Sequence, residues 1–222
     1  MRDSHGMMVL DTLAELVDPR WTAILAVDIQ NDFCHPDGHF ACHGKDVAAI
    51  RQALPTMRRL VTEGRRLGLP VFLIQQGTLP GGVSDSPAWR RFKTRDGKSP
   101  FYTLVGSWGW EVDEGLAAAA GDIRIAKFRP DGFLATNLDQ LLRARGIQSV
   151  VILGTVTEGC VESTVRGASY HDYYVVVARD AVASTNSVLH EGSMRLFEAR
   201  YPLATTEEIL ALWRGTGEGR GR

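Results

Sequence analysis

The chain has 222 residues, 44% of them hydrophobic, which suits one large α/β domain spanning 1–222 better than two small ones. Its 25 basic and 26 acidic residues leave a formal charge of −1, which excludes a bulk electrostatic pull toward nucleic acid or anionic membrane. No stretch approaches the ~18 apolar residues of a membrane span, the N-terminus lacks the basic-flanked apolar core of a secretory signal, and three cysteines, an odd count, argue against a disulfide framework. These bounds point to a cytoplasmic protein whose partner is a small molecule, with no nucleic acid and no membrane involved.

Residues 1–20 are read as an N-terminal extension, after which TAILAVDIQ (22–30) predicts a first strand. A helix is expected within 46–68, stopped by Gly68 and Pro70, and a second strand over 69–76. The stretch 77–110 is rich in Gly, Ser and Pro and too long for an ordinary connection, so it is read as an active-site cover. A short helix is predicted over 110–119, a third strand over 122–128, a helix over 137–146 and a fourth strand over 149–154. A helix over 160–172, a fifth strand over 173–180 and a late helix over 190–201 complete the alternation, and residues 215–222 are expected to fray. Alternation of this kind predicts an α/β three-layer sandwich with a mostly parallel central sheet and helices on both faces.

In such sheets the chemistry collects outside the carboxyl ends of the strands. Three polar residues fall there: Asp28 in AVDIQNDF, Lys127 in RIAKFRPDGF, and Cys160 just beyond VVILG. Each has a plain structural account, as a cap, an exposed edge residue and a packed thiol. A carboxylate and an ammonium set between apolar neighbours, however, are almost never buried without partners. Cys160 stands at a strand-to-helix corner, where unpaired N–H groups and a partial positive charge lower a thiol's pKa. Taken together the three predict a nucleophilic thiol, with Asp28 accepting its proton and Lys127 favouring the thiolate.

The segments AVDIQNDF, AKFRPDGFLATNLDQLLRARGI and VVILGTVTEGCVESTVRGASYHDYYVVVARDA resemble the isochorismatase-like cysteine hydrolases, from about Trp21 to the late helix. That family includes nicotinamidases, N-carbamoylsarcosine amidohydrolase, and the biuret and ureidoacrylate amidohydrolases. The resemblance implies an Asp28, Lys127, Cys160 catalytic triad and a cis peptide at Thr155–Val156, with the Val156 and Cys160 N–H groups forming an oxyanion hole. It also implies a cysteine hydrolase of non-peptide C–N bonds that passes through a thioester, and a homo-dimer or homo-tetramer. No cofactor and no metal are expected.

Several stretches bear on the branch. DFCHPDGHFACHGKD packs Cys34, His35, His39, Cys42 and His43 closely, but the spacings match no short zinc pattern, and polar loop residues are the favoured account. The histidines that nicotinamidases carry after the second strand are missing from FLIQQGTLPGGVSDSPAW. The branch acting on small linear amides and ureides fits better, although Pro130 and Asp131 stand where relatives have a tyrosine-serine pair. Phe33 and Phe133 are candidate walls for a planar amide, with core packing an equal account of each, and Arg129 is a candidate partner for a substrate carboxylate or a surface charge. Trp108 and Trp110 either border the site or fill a subunit contact. The alternatives are nicotinamidase or isochorismatase-type activity, the latter disfavoured by Cys160, and a non-catalytic scaffold of the same fold.

Overall fold

The computed structural model describes residues 5–95, 97 and 99–218. Its helices are α1 (Leu13–Leu16), α2 (Asn31–Cys34), α3 (His39–Cys42), α4 (Ala48–Arg66), α5 (Pro87–Lys93), α6 (Leu138–Arg143), α7 (Glu162–Tyr170), α8 (Ser187–Glu198) and α9 (Thr206–Glu218). The strands are β1 (Thr22–Val27), β2 (Val71–Gln76), β3 (Ile123–Lys127), β4 (Ser149–Thr155), β5 (Tyr174–Ala183) and β6 (Leu203–Ala204). They form one sheet in the order β3-β2-β1-β4-β5-β6, with every pairing parallel.

Uninterrupted apolar strands need a layer on each face. β1, β2 and β4 are buried at every position. Alternation along β1 shows how the layers divide. Ile24 and Ala26 join a core with Met57, Leu60 and Val61 of α4 and with Ile209 and Trp213 of α9. Ala23, Leu25 and Val27 join a second core with Leu138 and Leu142 of α6, Val165 of α7 and Phe197 of α8. The result is the expected three-layer sandwich. Among the described residues, no helix is long and apolar enough to cross a membrane.

Several elements depart from the sequence reading. The helix expected over 110–119 shrinks to a 3₁₀ turn, Glu114–Leu116, because the buried Asp113 carboxylate caps it through the Gly115 N–H at 2.8 Å and Ala117 adopts a left-handed φ of 54°. The 1–20 extension contains α1, opened by a Thr12–Glu15 capping box, and Leu16 and Val17 are buried in the core. Residues 215–218, expected to fray, continue α9, while 219–222 lie outside the described residues. The short helices α2, α3 and α5, together with α9 and the two-residue β6, escaped the sequence reading.

Gly154 shows how tightly β1 and β4 approach. It pairs with Val27 at φ +129°, and a Cβ there would overlap the Val27 backbone oxygen. Gly154→Ala is therefore expected to lower stability by roughly 1–3 kcal/mol. An unchanged urea midpoint would contradict this account of the close approach.

Candidate active site

The strand order reverses between β1 and β4, and at such a switch point a crevice opens beyond the carboxyl ends of the strands. Asp28 leaves β1 there with φ 52°, a left-handed conformation that aspartate tolerates better than most residues. Its carboxylate is buried and held from two sides. Oδ1 accepts the Gln76 N–H at 2.8 Å, and Oδ2 accepts Lys127 Nζ at 2.8 Å. Lys127 ends β3 and is fully buried, and its Nζ also donates to Gln76 Oε1 at 3.1 Å. Burial of an ammonium is tolerable only with such partners.

Cys160 lies in a π-helical turn, Thr157–Val161, that runs straight into α7, so the expected helix begins with a wider first turn. The Val156 carbonyl accepts the N–H groups of Gly159 and Val161 at 3.0 and 3.3 Å. The preceding Thr155–Val156 bond is cis, as the resemblance implied. The half-buried Cys160 side chain faces the same cavity as Asp28, close enough for both Asp28 and Lys127 to act on its ionisation.

Electrostatics corrects one sequence expectation. Burial, followed by the adjacent Asp28 carboxylate, pushes the Cys160 thiol well above its ordinary value, and Lys127 opposes this without reversing it. For Lys127 burial acts downward, but Asp28 and Cys160 together hold it above its ordinary value. The resting arrangement is thus a neutral thiol beside an ion pair rather than a standing thiolate.

Asp28, Gln76 and Cys160 floor a cavity of about 440 Å³, with Lys127 buried behind Asp28. The 77–110 stretch supplies Trp89, Phe92, Lys93, Arg95 and Tyr102 to its wall, in keeping with a cover, and His39 of α3 and His43 and Lys45 just after it complete that side. Phe33 lines the cavity and packs on Phe40 and Tyr102. The other two expected substrate contacts are not brought there. Phe133 is buried in the core against His171 and Tyr173, as its position ahead of α6 requires. Arg129 Nη1 donates to the Ser84 and Phe128 carbonyls at 3.2 and 2.5 Å, and its guanidinium lies over the Trp89 ring, behind the wall.

The Cys/His-rich loop spreads its side chains. Cys34 is buried in the core, Cys42 is exposed, His35 packs edge-on against Trp108, and His39 and His43 stack at 3.9 Å. Among the described residues, no group of three or more His, Cys, Asp or Glu is arranged to hold a metal ion. Trp108 is exposed and Trp110 half-buried; neither lines the cavity, and their carbonyls accept side-chain amides of Asn31, Gln30 and Gln75.

Residues 22–208 match the family model described as Isochorismatase domain. The chain belongs to the isochorismatase family. A ureidoacrylate amidohydrolase, RutB, of Methylobacterium radiotolerans is 35% identical over 189 residues, covering 80% of this chain and 73% of that protein. The crystal structure of a cysteine hydrolase from Pseudomonas syringae pv. phaseolicola shares the fold with a TM-score of 0.79 at 23% identity, over 90% of this chain and 95% of that one. N-carbamoylsarcosine amidase from Thermoplasma acidophilum aligns with a TM-score of 0.66 at 28% identity, over 84% and 96%.

Sequence reasoning missed Gln76 and Glu158. Gln76 ends VFLIQQ, an apolar strand closing on two glutamines, so the criterion that singled out Asp28 applied to it equally. Glu158 stands two residues before Cys160 in TEGC and lines the cavity.

Proposed function

We propose that the chain is a cytoplasmic cysteine amidohydrolase that cleaves a C–N bond of a small linear amide or ureide, releasing ammonia through a thioester on Cys160. The observation that carries this reading is a thiol facing a cavity and set against a buried carboxylate–ammonium pair. Similarity to proteins named as an amidohydrolase and an amidase supports the class. A cavity of about 440 Å³ suits a small organic molecule.

In the proposed cycle Asp28 takes the Cys160 proton as sulfur attacks the carbonyl carbon. The neutral thiol thus becomes a nucleophile only during the reaction, with Lys127 beside the developing charge. The Val156 and Cys160 N–H groups hold the oxyanion. Asp28 returns the proton to the departing nitrogen, and ammonia leaves a thioester. Asp28 then takes a proton from water, which attacks the thioester, frees the acid and restores the thiol. Lys127 stays protonated throughout, because both neighbours hold it above its ordinary value.

Self-association into a dimer or tetramer belongs to this proposal, supported by Val83, Phe92, Phe101 and Trp108, apolar side chains exposed on the 77–110 stretch. Incubation with a panel of linear amides and ureides is expected to release ammonia, with an acyl adduct on the Cys160 peptide by mass spectrometry after rapid acid quench. Ammonia without any adduct would remove the thioester from the cycle, and silence across the panel would sink the amidohydrolase reading.

A further inference from the structure

The two acids on the cavity wall differ in what they can still accept. Asp28 has both carboxylate oxygens engaged, by Lys127 and by the Gln76 N–H. Glu158 shares the π turn of Cys160. Its Oε1 accepts a 2.9 Å bond from Ser184 Oγ, just past β5, so the side chain is anchored rather than loose. Its Oε2 is buried and has no hydrogen-bond partner among the described residues. A carboxylate oxygen in that position has given up hydration with nothing in exchange. Trp89 Nε1, on the same wall, is a buried donor that likewise has no partner among the described residues.

We propose that Glu158 is the specificity-determining residue by which this enzyme selects ureides over carboxamides, its Oε2 accepting an N–H attached to the carbonyl that Cys160 attacks. The assignment rests on the amidohydrolase reading above. The terminal torsion of a carboxylate is broad and a serine hydroxyl rotates freely, so Oε2 can turn toward an N–H in the cavity with the Ser184 hydroxyl following Oε1. A ureide has nitrogen on both sides of its carbonyl, whereas a carboxamide has carbon on one. A site built to accept an N–H rejects the analogue that lacks it, because the acceptor is then left buried and unpaired. The Trp89 donor and the Lys45 and Arg95 cations on the wall suit an oxygen-bearing far end, which guides the choice of probes.

The probes are 3-ureidopropionate and glutaramate, which differ only by NH in place of CH₂. Wild type is expected to favour the ureide by about tenfold or more in kcat/KM, and Glu158→Ala to lose that ratio. Glu158→Gln, whose amide oxygen still accepts a weaker bond, should keep part of the preference, and it carries the test if the alanine protein does not fold. Protection of Cys160 from iodoacetamide reads binding without turnover. The ureide should protect wild type at about tenfold lower concentration than glutaramate, and Glu158→Ala should erase the difference. Preferential protection with no ammonia from either probe would fell the amidohydrolase reading and leave the Glu158 assignment standing. Equal or absent protection by both probes in wild type, or an undiminished preference in both variants, overturns it.

Discussion

Asp28→Asn is expected to cut turnover by about 10²–10⁴-fold while making Cys160 more reactive toward iodoacetamide at neutral pH. The two effects share a cause. Burial and the Asp28 carboxylate raise the thiol, and Lys127 lowers it. Asparagine removes the opposing anion, so the ammonium acts on sulfur alone and the thiolate fraction grows. In wild type the alkylation rate should still be climbing at pH 9.0, the ordinary value for a thiol; in the variant it should level off at lower pH. Turnover falls nonetheless, because asparagine cannot shuttle the proton to the leaving nitrogen or take one from water. Cys160→Ala is expected to abolish turnover, and the double variant should be no worse, since residues acting as a unit give non-additive losses. Slower alkylation in Asp28→Asn would show that the carboxylate does not raise the thiol, and near-normal turnover would remove it as the base.

The second large effect is on stability. Lys127→Met is expected to lower it by about 3–5 kcal/mol, since Asp28 would be left as an uncompensated buried anion. In a chain of this length that corresponds to a fall of roughly 6–20 °C in Tm. Adding Asp28→Asn should restore much of the loss, because the penalty comes from the unpaired charge rather than from the missing ammonium. Turnover should not return. The pair's contribution has a defined pH window. Lys127 stands above its ordinary 10.5 when folded, so its stabilisation is fully present below that value and is lost only as pH rises beyond it. A Lys127→Met protein that melts with wild type would show that the pair contributes nothing net, and a double variant less stable than Lys127→Met would refute the charge argument.

How much of the site was legible depended on whether a residue's environment is local. Asp28 and Lys127 interrupt apolar strands at their carboxyl ends, and Cys160 follows shortly after an uninterrupted apolar run, so neighbours in sequence revealed their placement. The strand-and-helix alternation was legible for the same reason, because each period is written in a few consecutive residues. Element ends were less so: Asp113 and Ala117 cut short a helix that composition favoured. Phe133 and Arg129 stand beside the lysine motif yet point elsewhere, since their directions are set by packing on Tyr173 and on Trp89, far away in sequence.

The sequence by itself determined the layers and the parallel sheet and singled out the three side chains proposed to react, because burial on both faces and charge at strand ends are properties of short segments. Only the tertiary structure decided the rest. Strand order put the ends of β1, β3 and β4 at one crevice, pairing Asp28 with Lys127 at 2.8 Å across 99 residues of chain. Folding of the 77–110 stretch over that crevice set which side chains face the cavity, and a pattern without periodicity carries no record of it. The thiol's resting state was likewise decided there. A helix start favours the thiolate locally, whereas burial and a carboxylate brought from another strand favour the thiol, and in a desolvated crevice the latter prevail.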